Sequence, residues 1–71
     1  MNTYTLSARL LGKTAQESFT ADNDDDATVT AVFRILENAS KRNANGDRWA
    51  RGRIELLNNN TNTIIKTMEA K

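Results

Sequence analysis

From Thr3 to Leu10 the chain alternates without a break. Tyr4, Leu6, Ala8 and Leu10 fall on one side, and Thr3, Thr5, Ser7 and Arg9 on the other. A period of two is the pattern of a strand buried on one face. Gly12-Lys13 follows and predicts a two-residue hairpin with glycine in the first central position. A turn there sets Leu6 opposite Phe19, Tyr4 opposite Ala21 and Leu10 opposite Ala15, with Thr5 against Thr20, Ser7 against Ser18 and Arg9 against Gln16. Apolar meets apolar and polar meets polar, as cross-strand pairing requires. A hairpin with one apolar face needs a second layer to cover it, which limits the chain to a few architectures.

The next segment supplies a cover. Asp22-Asn23-Asp24-Asp25-Asp26 precedes a helical pattern, and carboxylates there complement the positive end of the helix dipole and cap free N–H groups. The expected helix runs from Asp24 or Asp25 to Lys41, with Val29, Val32, Ile35, Leu36 and Ala39 as the apolar stripe facing the sheet and Phe33 at its margin. Lys41 and Arg42 sit at the C-terminal end, where cations are favourable. Asn43-Ala44-Asn45-Gly46-Asp47 reads as a turn.

Two further strands are expected, at 48–57 and 63–69. A loop of residues 59–62 pairs Leu56 with Ile65, Glu55 with Lys66 and Leu57 with Ile64. A tighter turn at Asn59-Asn60 sets Arg53 against Lys66, a like-charge pair, so the longer loop is preferred. The predicted fold is α+β, a single domain over 1–71 in the order β-β-α-β-β: two antiparallel hairpins with the helix across one face of the sheet.

Composition narrows what such a domain can be. At 71 residues the core is small, and chains of this size commonly lean on disulfides, metals or oligomerisation. Cysteine and histidine are both absent, so no disulfide and no common zinc site can form. Tight packing or self-association must supply the stability. The start, Met1-Asn2-Thr3-Tyr4, has neither a basic stretch nor an apolar run, so no signal peptide is expected. No segment approaches the roughly 20 apolar residues of a membrane span. The expected location is the cytoplasm, with no membrane partner.

Charge is unevenly spread along the chain. Residues 1–26 carry two basic against five acidic groups, and the remainder eight basic against four acidic. The overall net charge of +1 argues against tight non-specific binding to nucleic acid.

Strand 48–57 holds the candidate site. Arg48-Trp49-Ala50-Arg51-Gly52-Arg53 contains the only tryptophan and several of the arginines, the residue types most enriched at binding hot spots. On the face of the second hairpin turned away from the helix, Trp49, Arg51, Arg53, Leu57, Ile64 and Met68 are expected to form a partner-binding surface, covered by a protein partner or a second copy. The basic set Lys41, Arg42, Arg48, Arg51 and Arg53 offers an alternative: phosphates gripped by the cations while Trp49 stacks on a base. A structural subunit of a larger assembly would use the same apolar face.

Other motifs are weaker. Asp22, Asp24 and Asp26 match the first ligand positions of a calcium-binding loop, but Ala27 stands where glycine is needed and Phe33 where the bidentate glutamate belongs. Gly12-Lys13-Thr14 lacks the earlier glycine of a phosphate-binding loop, Ser7 standing in its place. No metal and no cofactor are expected. Without His or Cys, acid–base chemistry falls to carboxylates, Lys or Tyr, and the aspartates form one exposed run, so the chain is not expected to be an enzyme.

Tyr4-Thr5-Leu6-Ser7-Ala8-Arg9-Leu10-Leu11-Gly12, Phe19-Thr20-Ala21-Asp22 and Trp49-Ala50-Arg51-Gly52-Arg53-Ile54-Glu55-Leu56 resemble small accessory proteins of phages that infect actinobacteria. The resemblance is one of texture and spans most of the chain. It implies a compact, non-enzymatic intracellular binder of host proteins, and carries over no defined site.

Overall fold

The computed structural model describes residues 1–69. Its elements are β1 (Asn2–Leu10), β2 (Lys13–Ala21), α1 (Asp24–Ala39), α2 (Ala44–Arg51), β3 (Arg53–Asn58) and β4 (Thr63–Glu69). The four strands form one antiparallel sheet in the order β2-β1-β3-β4. The α+β class and the helix over one face are as expected. The second helix is not.

β1 is central, and its alternation is realised: Tyr4, Leu6 and Ala8 are fully buried, while Thr5 and Ser7 on the opposite face are half-buried. The hairpin to β2 forms with a different turn. Leu11 and Gly12 are the two loop residues, both at positive φ (52° and 78°), as a type I′ turn demands. The register therefore sits two residues from the expected one, with Tyr4 opposite Phe19, Leu6 opposite Glu17 and Ala8 opposite Ala15. A shift of two keeps each side chain on its face, so the apolar pattern cannot separate the two registers. The Tyr4 and Phe19 rings stack with centroids 5.7 Å apart.

The loop at 59–62 and the Leu57–Ile64 pair are as expected. Beyond them the ladder slips by one residue, so that Leu56 faces Lys66 and Ile54 faces Met68. The asparagines of this loop have structural partners. Asn59 donates its backbone N–H to the Thr3 carbonyl at 2.9 Å, and the Asn60 Oδ1 accepts from the Thr3 N–H at 2.9 Å. Asn58, buried, accepts from the backbone N–H groups of Asn60 and Thr61.

The stretch read as the start of a long third strand is instead α2. Asn43 caps it, its side chain accepting from the Gly46 N–H at 2.8 Å. Two side-chain pairs run along it, Asp47 with Arg51 at 3.5 Å and Asn45 with Arg48 at 3.0 Å. It ends at Gly52, whose N–H reaches the Arg48 carbonyl at 2.9 Å. Two glycines allow this helix to seat. A Cβ on Gly46 would fall onto the Lys41 carbonyl, and one on Gly52 would lie 2.5 Å from the Arg9 carbonyl oxygen and close onto that of Arg48.

The core lies between the helices and one sheet face. It comprises Tyr4, Leu6, Ala8, Phe19, Ala21, Ala27, Ala31, Trp49, Ile54 and Leu56. Ile35, Ala39, Ile65 and Met68 pack at its edge. No helix among the described residues is long and apolar enough to cross a membrane.

Candidate functional site

The residues expected to share one contact face are dispersed. Trp49 belongs to α2, is only 3% exposed and is part of the core. Met68 lies opposite the buried Ile54 and packs against the core from the edge strand. Leu57 and Ile64 do pair, half-buried and exposed respectively. Arg53 is tied across strands to Glu69 at 3.5 Å and also lies opposite Arg9. Arg51 is on α2 with Asp47. The expectation of a surface built on Trp49 is therefore corrected. The alternation of Arg48, Trp49, Ala50 and Arg51 is too short to distinguish a strand from two turns of helix, and the capping asparagine decides for helix.

The basic set is rearranged for the same reason. Lys41 and Arg42 are exposed beyond the end of α1, Arg48 and Arg51 lie on α2, and Arg53 is on β3. The buried Trp49 offers no ring to stack on a base, so that part of the nucleic-acid reading is corrected too.

In the acidic run Asn23 and Asp24 have structural partners. The cap of α1 is Asn23 rather than an aspartate, its side chain accepting from the Asp26 N–H at 2.9 Å. The Asp24 Oδ1 accepts from the Tyr4 hydroxyl at 2.8 Å and from the Asn58 amide at 3.0 Å, which ties the first turn of α1 to the sheet and to the 59–62 loop. Burial pushes the Tyr4 phenol above its ordinary value, and the neighbouring Asp24 carboxylate adds to that. Among the described residues no group of three or more acidic side chains converges as a metal site.

The feature that sequence reasoning misplaced is the face of α1. Ala27 and Ala31 are fully buried, Asn38 nearly so, and Ile35 and Ala39 partly. The helix seats on the sheet through small side chains. A polar bridge at one flank secures it, where the Glu17 Oε1 on β2 accepts from the Asn38 amide at 3.2 Å and lies 3.6 Å from the Arg34 guanidinium. Arg34 also stands over the Phe19 ring, 5.6 Å from its centroid.

Of the expected inward stripe, Ile35 and Ala39 do pack against the core, while Val29, Val32 and Leu36, with Phe33 from its margin, point outward. Val29 is 57% exposed, Val32 43%, Phe33 68% and Leu36 62%. Their spacing of three, four and seven puts them on one side of the helix. Together they form an exposed apolar stripe along the outward side of the helix. A shallow depression lined by Met1, Ala21, Val29 and Thr30 adjoins one end. A usable signal was present: α1 carries more apolar residues than one face can hold, and its small alanines are suited to close approach to a sheet.

No protein-family model matches the chain, and no curated protein or solved structure matches it significantly.

Proposed function

We propose that this chain is a small, non-enzymatic binding protein that acts by protein–protein contact, and that its contact surface is the outward side of α1. One observation carries the reading: four large apolar side chains, Val29, Val32, Phe33 and Leu36, stand exposed in a single row while alanines do the packing beneath them. A surface helix normally presents polar residues outward, because each exposed apolar group forgoes the free energy of burial. The resemblance to phage accessory proteins supports the same class of function, with a host protein or the chain itself as partner.

The test compares three tagged forms in pull-downs from a lysate of the producing cell, a second, differently tagged copy of the chain included. Leu36→Asp is expected to keep the fold and lose the partners that the wild type retains. Ile64→Asp, on the far side of the sheet, is expected to keep both. Unfolding of Leu36→Asp would mean that the stripe is core, and unchanged partner recovery would mean that contact lies elsewhere; either result defeats the reading.

A further inference from the structure

We propose that the cleft between the β1–β2 turn and α2 takes a short segment of a partner protein in which an aliphatic side chain lies between acidic ones. The proposal is independent of the outward side of α1, which contributes no residue to this cleft.

The cleft holds about 230 Å³ and is lined by Leu10, Leu11, Lys13, Asp47, Arg48 and Arg51. Leu10 and Lys13 pair across the turn, and the period of two puts both on the face of the sheet that the helices cover. Arg48 and Arg51, three residues apart, share a side of α2. Three cations from two elements thus meet one carboxylate, and that carboxylate, Asp47, is held by Arg51 at 3.5 Å. Among the described residues Lys13 has no ion-pair partner, and the Arg48 guanidinium bonds to the neutral Asn45 side chain. The cleft carries a positive excess beside two leucines, which complements acidic and aliphatic groups together.

Leu11 is a second, independent observation. It takes the first central position of the turn at φ 52°, where Asn, Asp or Gly is favoured and a bulky side chain is not. It is also 92% exposed, so the fold gains no burial from it. A residue that opposes both the backbone and the hydrophobic effect in the free chain is suited to contact with something outside it. The opposite wall is fixed in advance, because Gly52 seats the end of α2 against the Arg9 carbonyl of β1.

Size and chemistry select a peptide. At about 230 Å³ the cleft is smaller than the roughly 300–1,000 Å³ of sites for drug-sized molecules, and suits one or two side chains. Single-stranded nucleic acid stacks its bases on aromatic rings, and none lines this cleft. Cations on both the turn and the helix match carboxylates on either side of one aliphatic residue.

The test titrates the full chain, labelled with heavy nitrogen for NMR, with capped hexapeptides carrying leucine, isoleucine or valine between two glutamates. Saturable shifts are expected at the backbone amides of Leu10–Lys13 and Asp47–Gly52, with a Kd below about 1 mM at low salt and weaker binding at high salt. Glutamine in place of the peptide's glutamates should weaken binding at least about tenfold. Leu11→Asn gives the turn its favoured residue type, so it should melt no lower than the wild type while binding at least about fivefold more weakly. Lys13→Gln should bind more weakly with the fold unchanged.

No saturable shift up to about 5 mM peptide, or shifts confined to residues outside the cleft, would overturn the site. Equal binding of the glutamine peptide would overturn the acidic class, and tighter binding of an oligothymidylate at the same amides would replace the peptide with a phosphate backbone. Shifts of those amides with protein concentration alone would make the occupant the acidic run 22–26 of a second copy and overturn the partner protein. If Leu11→Asn fails to fold, Lys13→Gln decides, and unchanged affinity there overturns the proposal.

Discussion

Replacing Trp49 with alanine separates the helical reading of residues 44–51 from a strand that displays its tryptophan. In the structure Trp49 is the largest side chain of the core cluster and the only large apolar residue that α2 contributes to it. Truncating a buried Trp costs about 3–5 kcal/mol, through lost transfer energy and the cavity left behind. A domain of this length has a total stability of roughly 4–11 kcal/mol, so the substitution removes a large fraction of it. With about 4–8 °C of midpoint per kcal/mol at this size, the thermal midpoint should fall by about 15 °C or more. Urea unfolding followed by far-ultraviolet circular dichroism at a few micromolar keeps self-association out of the measurement. Phe33→Ala is the control: on α1 and exposed, it should change stability by no more than about 0.5 kcal/mol. If Trp49→Ala unfolds at the wild-type midpoint, or if Phe33→Ala costs as much, the assignment of inside and outside is wrong.

Two other predictions follow from the backbone and from titration. Gly52→Ala should cost about 1–3 kcal/mol, because its Cβ meets the Arg48 and Arg9 carbonyls at the junction of α2, β3 and β1, and wild-type stability in urea would show that the junction can open freely. Tyr4 is the only tyrosine, so tyrosinate absorbance at 295 nm reads one group. Its phenol is raised in the folded state by burial and by Asp24, so its contribution to stability is complete below the unfolded value of 10.0 and is lost as pH rises through the raised one. Tyr4→Phe should remove that part of the alkaline loss, and a folded-state midpoint at or below 10.0 would contradict the buried Tyr4–Asp24 contact.

Elements bounded by strong periodicity were legible in the chain. β1 could be read because eight consecutive residues alternate, and the 59–62 loop because its competitor opposed two cations. The register of the first hairpin was not, since Leu6 satisfies the apolar face beside Phe19 or beside Glu17 alike, and the choice is made by Leu11 accepting positive φ. That conformation is uncommon for a bulky residue, so reasoning from glycine alone placed the turn one residue late. α2 was hidden because its eight residues include Asn45 and Gly46, which are ordinary turn signals. The countersignal, Asn43 as cap with Asp47 in the first turn and Arg48 and Arg51 in the last, is legible once a helix is considered.

The outward residues of α1 were misplaced for a more general reason. Hydropathy ranks Val, Leu and Phe above Ala, so a periodicity argument assigns the bulkier stripe to the core. A helix lying on a sheet in a small domain is limited by volume as well as by hydrophobicity. Tyr4, Phe19, Trp49, Ile54 and Leu56 fill much of the layer, and Ala27 and Ala31 lie fully buried against them, with Ile35 and Ala39 at the edge. The larger groups are then left outside, where their exposure costs solubility unless something covers them. A helix with an alanine face and a Val-Val-Phe-Leu face is therefore suited to sit between two layers, its own sheet and a partner. That double-sided pattern, rather than the tryptophan-arginine stretch, is what the proposed function rests on.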